Sequence, residues 1–296
     1  MMENIQLSNE DYPGLYQAAD AASISSQRTY YRLLFLYLCV LIVGSLFAFF
    51  PGDSKLYTFL AALSFLGSLF LSVFVALKRY DRTWYSARAV AESVKTRAWR
   101  YMMRSEPYEE SKSKDYPEKT FLSDMQEILD QNREVTKELC DESATRDAIS
   151  AKMEQVRALG LQERAGFYKS RRIEGQRDWY GRKAKMNKDY GRTWFLFLAV
   201  LNACAAISAL LRIAYPCWQY FPTTLFAVAA AAAISWIHAK RFNDLSTSYS
   251  LAAHEIAIIQ SRANISMDEK EFSRFVNDTE NAFSREHTQW IARRSS

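Results

Sequence analysis

Two apolar tracts without a charged residue, "LLFLYLCVLIVGSLFAFF" over 33–50 and a second over 56–77, flank the short polar stretch "PGDSK". A second pair, 193–211 and 223–237, flanks the aromatic turn "RIAYPCWQYFP". Tracts of this length suit a hydrocarbon core of roughly 30 Å at about 1.5 Å per helical residue. Pro51 and Gly52 favour a tight reversal, so the pattern predicts two helical hairpins with four spans. Between and after them the period changes. In "TFLSDMQEILDQNREVTKEL" the apolar residues Phe121, Leu122, Met125, Ile128 and Leu129 recur at three and four, with Ser123 and Gln126 spaced as a capping box. In "ISMDEKEFSRFVNDTENAFSREHTQW" the residues Phe272, Phe275, Val276, Phe283 and Trp290 share a face, with Ser266 and Glu269 as caps. Both stripes predict helix-to-helix packing outside the membrane. The expected class is an all-α integral membrane protein with two transmembrane helical hairpins and long cytosolic helices. It divides into a cytosolic N-terminal segment (1–32), a first hairpin with its juxtamembrane helix (33–108), a cytosolic helical region (109–192), and a second hairpin with C-terminal cytosolic helices (193–296).

Charge sets the expected orientation. Arg28 and Arg32 precede the first tract, and Lys78, Arg79 and Arg82 follow the second. Arg182, Lys183, Lys185, Lys188 and Arg192 precede the third, Lys240 and Arg241 follow the fourth, and the turns carry only Lys55 and Arg212. Positively charged flanks stay in the cytoplasm, so both termini and 78–192 are expected there. The residues before Leu33 lack the basic start and cleavage site of a signal peptide, so the first span is expected to be retained. Lys plus Arg (38) exceeds Asp plus Glu (33) modestly. Cations beside apolar tracts point to membrane lipid as a partner rather than nucleic acid. Nine glycines and six prolines suit long regular elements, and a mean hydropathy of -0.23 is too polar for a many-span transporter. The four cysteines form no spaced framework, which suits a reduced, cytosol-facing bulk.

Candidate chemistry is sparse. No phosphate-binding loop, dinucleotide fingerprint, zinc-protease pair or nucleophile elbow occurs, so neither an enzyme nor a cofactor is expected. Adjacent pairs such as Glu286 and His287 diverge by about 100° on a helix, which disfavours a metal site. Glu280 with His287, Asn281 with Ser284, and the adjoining Glu286 form a candidate polar interhelical network. "RTWYSARA" (82–89) and "RDWYGRKA" (177–184) repeat one pattern. On a helix Trp84 can stack on Arg88, and Trp179 on Lys183. The first copy is expected at the lipid headgroups and the second against a neighbouring helix. Beyond the first copy, Arg88, Glu92, Lys95 and Trp99 form a ridge in which Glu92 can pair with both cations. Glu255 lies comparably after "KRF", as the ridge lies after "KRY". The ridge reads either as a solvated salt-bridge face or as a gate beneath the membrane. Ser64, Ser68 and Ser72 repeat every four residues, and Asn202 and Ser208 add polar positions in the third span. Such small faces serve close helix packing or line a pore between copies. With no carboxylate or cation inside a span, proton-coupled transport and voltage sensing are not expected.

The segments "RTWYSARAVAESVKTRAWRYMMRSEPY" (82–108), "MEQVRALGLQERAGFYKSRRIEGQRDWYGRKAKMN" (153–187) and "FVNDTENAFSREHTQWIARR" (275–294) resemble the SLATT family. The resemblance implies a bacterial inner-membrane effector, here with two fused hairpin units, encoded near nucleotide-second-messenger synthases or SLOG-type sensors. It implies a homo-oligomer that perforates the membrane when an antiviral or other conflict system is triggered. The alternative is a non-conducting scaffold or sensor that recruits a cytosolic partner.

Overall fold

The computed structural model describes residues 5–50, 55–110, 115–133, 147–218, 220–263 and 266–295, with side chains through 284 in the last segment. After a 3-10 turn at Asn9–Asp11, the helices are α1 (Gly14–Phe49), α2 (Lys55–Lys78), α3 (Tyr80–Met102), α4 (Tyr116–Gln131), α5 (Ala151–Arg157) and α6 (Leu161–Phe167). A π-helical turn, Tyr168–Glu174, leads into α7 (Gly175–Ala214), followed by α8 (Thr223–Lys240), α9 (Phe242–Arg262) and α10 (Glu269–Ser295). No strand occurs among the described residues. Four helical stretches are long and apolar enough to cross a membrane: Gly14–Phe49, Lys55–Met102, Leu161–Ala214 and Thr223–Arg262. The protein is an all-α membrane protein.

Two compact units are present, and neither is continuous in sequence. The span unit comprises Arg28–Arg79 and Tyr180–Leu251. Along its apolar tracts large apolar side chains point outward: Phe70 is 68% exposed, Leu77 77% and Ile213 78%, as expected of surfaces that face lipid rather than water. In the first hairpin Gly44 permits close approach of α1 and α2. A β-carbon there would lie 3.0 Å from Phe65 Cε1 and 3.1 Å from Ser64 Cβ. In the second, the hydroxyls of Ser208 on α7 and Thr223 on α8 are 2.9 Å apart. The "KRY" and "KRF" triplets share a backbone feature: Arg79 (φ 47°) and Arg241 (φ 51°) are left-handed and separate a span helix from its successor. This conformation costs a non-glycine residue about 1–2 kcal/mol.

The bundle unit comprises Met1–Gln27, Tyr80–Trp179 and Ala252–Ser296. Its core follows helical periodicity. Ala87, Val90, Ala91, Val94, Ala98, Trp99 and Met102 are buried along α3, against Phe121, Met125 and Ile128 of α4 and Phe272, Val276 and Phe283 of α10. Two expected caps are replaced. Asp115 precedes α4 and Pro117 occupies its first turn, leaving Ser123 in the helix interior and Leu122 exposed. Proline tolerates that position because the first turn has no use for its missing N–H. At α10 the reciprocal pair is Asp268 and Glu271, with Glu271 N donating to Asp268 Oδ1 (2.7 Å) and Asp268 N donating to Glu271 Oε2 (3.1 Å). A carboxylate one residue before the helix does what Ser266 with Glu269 was expected to do.

Candidate functional site

The π-helical turn places Tyr168, Arg172 and Ile173 inside the bundle while Arg171 faces out. Its i→i+5 bonding adds a residue to the turn, and such turns concentrate where a helix is adapted to a special contact. Arg172 meets Glu280 of α10 through two parallel bonds, Nε to Oε1 at 2.8 Å and Nη2 to Oε2 at 2.7 Å. The Tyr168 hydroxyl also donates to Glu280 Oε1 at 2.9 Å. Both charged side chains are enclosed, at 2% and 0% exposure. The Arg172 guanidinium lies 5.0 Å from the Phe283 ring centroid and 5.9 Å from that of Trp99. Burial alone disfavours the Arg172 charge, but the facing Glu280 carboxylate more than offsets it and holds the arginine protonated. Burial, reinforced by Glu280, pushes the Tyr168 hydroxyl well above its ordinary value.

The α3 ridge continues this cluster. Arg88 bridges Asp20 of α1 at 3.0 Å and Glu92 on its own helix. Lys95 is attracted electrostatically to Glu92 and also faces two rings. Its ammonium lies 5.6 Å from the ring centroids of both Tyr12 and Tyr16. Burial, and then the nearby Arg172, lower its affinity for the proton. Burial raises Tyr12 to about 12. The Trp84 ring, 6% exposed, stacks on Tyr85 inside the bundle unit. Trp99 is 2% exposed. Arg88, Glu92 and Lys95, each half-buried, therefore form with the enclosed Trp99 a partly enclosed polar layer. Asn281 accepts from Arg100 of α3, and Ser284 is half-buried on the same helix. Glu255 is exposed on α9. The side chains of Glu286 and His287 lie outside the described residues.

Periodicity missed Asp20, Tyr12, Tyr16, Tyr168 and Arg172, all of which contact the layer. Arg164 is also buried, donating to the backbone carbonyls of Leu159 and Met103 and pairing with Glu269. Among the described residues no three metal-ligating side chains converge.

In the span unit, Ser68 and Ser208 are buried in helix packing, Ser64 and Ser72 are half-buried and Asn202 is exposed. The hydroxyls of Ser64, Ser68 and Ser72 donate to carbonyls of Leu60, Phe65 and Leu69, each at 2.8 Å, and the Asn202 amide to that of Leu198 at 2.9 Å. These side chains satisfy themselves on their own helices, which lowers the cost of carrying them in a span.

Each hairpin with its neighbouring bundle helices coincides with one family match. Residues 13–165 match the family model for the SMODS and SLOG-associating 2TM effector domain 3, and residues 168–290 match that for the SMODS and SLOG-associating 2TM effector domain 1. The chain belongs to the SLATT family. It carries two SLATT domains in tandem, the first holding the α1–α2 hairpin and the second the α7–α8 hairpin. Searches of curated proteins and of solved structures each returned no match. The polar layer draws on both SLATT domains: Lys95 and Trp99 come from the first, Arg172 and Glu280 from the second.

Proposed function

We propose that this tandem SLATT protein is a bacterial inner-membrane effector with both termini in the cytoplasm, which assembles with copies of itself and opens a weakly selective pore when a conflict system is triggered. The activating partner is a sensor or nucleotide-second-messenger synthase encoded nearby, and the protein itself performs no catalysis. The observation that carries this reading is the enclosed Arg172–Glu280 pair. It fastens the π-helical turn, from which the chain runs without a break into the span helix α7, to the C-terminal helix α10. Neutralising or displacing one member of such a pair changes the bundle by several kcal/mol, a scale sufficient to shift a closed–open balance. The uncharged spans with small polar positions support a conduit formed between copies rather than within one.

Dye release from vesicles containing the purified protein, together with growth on induced expression, tests the proposal. Glu92→Lys sets a cation against Arg88 and Lys95 and is expected to change release severalfold. Glu127→Lys, on the exposed face of α4, is expected to leave it unchanged. Membrane-inserted protein that releases no dye in any variant and runs as a monomer in mild detergent would refute the pore and favour a recruiting scaffold.

A further inference from the structure

At one end of the span unit, the borders of three apolar tracts converge on a lysine. Lys240, three residues past the fourth tract, holds its ammonium 3.3 Å from the Tyr31 ring centroid and 4.8 Å from that of Trp236. Phe35 and Trp194 pack edge-on or tilted against the Trp236 ring, with centroids 5.7 Å and 6.1 Å away. Tyr31 stands two residues before the first tract and Trp194 is the second residue of the third. Tyrosine and tryptophan at span borders occupy the headgroup level, so the aromatic clamp and its cation lie where lipid phosphates do.

The clamp holds the charge without neutralising it. Among the described residues no carboxylate or hydrogen-bond acceptor lies within bonding range of Lys240 Nζ. The neighbouring Asp244 is taken by Arg241 at 2.8 Å, the Ala239 carbonyl by the Tyr31 hydroxyl at 3.5 Å, and the Ile237 carbonyl by Arg241 N at 2.9 Å. The rings satisfy one side of the ammonium by cation–π attraction and leave its N–H donors on the other side to be met. A charge-assisted bond to a phosphate oxygen meets them. Because Lys240 already fills the ring faces, the clamp does not suit the choline or ethanolamine cation of a zwitterionic lipid. We propose that Lys240, fixed on Tyr31 and Trp236, binds the headgroup phosphate of an anionic phospholipid.

Native mass spectrometry of the full chain in mild detergent, titrated separately with phosphatidylglycerol, phosphatidylcholine and inorganic phosphate, tests this. The expected result is a first phosphatidylglycerol adduct that half-saturates at least fivefold below phosphatidylcholine. Lys240→Gln should erase that preference, and Lys240→Arg should retain it. Tyr31→Leu, which keeps the charge but removes its platform, should reduce the preference at least twofold, and it remains informative if Lys240→Gln fails to fold. Equal binding of the two lipids, or a preference that survives both Lys240→Gln and Tyr31→Leu, would overturn the assignment. Inorganic phosphate binding as tightly as phosphatidylglycerol would also overturn it, by placing a soluble anion at the clamp.

Discussion

Replacing Glu280 by glutamine keeps the shape of the side chain and removes its charge. In the wild type the carboxylate is 0% exposed and accepts two bonds from Arg172 and one from Tyr168. In Glu280→Gln the guanidinium, itself 2% exposed, keeps the Trp99 and Phe283 rings, one amide oxygen and the more distant Glu92 charge, but loses its bonded carboxylate. Breaking a buried pair from one side costs about 3–5 kcal/mol, because the remaining charge is left uncompensated out of water. Ionic strength offers little relief inside the bundle. At about 1.4 kcal/mol per tenfold change, local opening of α10 should become roughly a hundred- to several-thousand-fold more frequent. Hydrogen exchange of the 269–284 segment in the detergent-solubilised chain reads this directly as lost amide protection. The double variant Arg172→Met with Glu280→Leu replaces both charges by apolar groups of similar length and should recover most of the protection. Protection in Glu280→Gln within threefold of wild type would refute the reasoning, as would a double variant that opens as readily as the single one.

Gly44→Val should loosen the first hairpin by about 1–3 kcal/mol through overpacking against Phe65 and Ser64, visible as a lower thermal midpoint, whereas Gly67→Ala, where the nearest atom is 3.8 Å away, should be tolerated. Arg79→Gly should stabilise the chain by ~1 kcal/mol or less through relief of the left-handed conformation, seen as a higher thermal midpoint; an unchanged or lower midpoint would contradict this. Alkaline pH should unfold the bundle. Tyr12 ionises near 10 when unfolded but at about 12 when buried, so over that window the folded state binds more protons and stability falls, by about 1.4 kcal/mol per pH unit for this residue. The lowered Lys95 contributes the opposite slope only below its ordinary 10.5, so Tyr12→Phe should flatten the decline above that point, followed by tyrosinate absorbance and circular dichroism.

The spans were legible because a bilayer tests each tract by itself: 33–50 and 56–77 need only length and the absence of charge to be recognised. The expected all-α class and the tandem pair of hairpins agree with the helices and with the family matches. The inward faces of α4 and α10 were legible for a similar reason, since helical periodicity is local. Local signals misled where the helix began elsewhere, as when α4 started before Ser123 with Pro117 in its first turn, and Asp268 with Glu271 capped α10 in place of Ser266. The polar layer belongs to a different category. In "YKSRRIEGQR" nothing local distinguishes Arg171, which is exposed, from Arg172, which is buried, and the π-helical turn changes the periodicity by which they would be sorted. The partner of Arg172 stands 108 residues away. Lys240 likewise reads as one more flanking cation until α1, α7 and α8 bring Tyr31, Trp194 and Trp236 around it. Sequence by itself determined which segments leave water, because transfer into lipid is a sum over each segment's own residues. Tertiary structure decided which charges are enclosed and by what, because a buried ion is tolerable only beside a partner that the chain's path, and not its order, supplies.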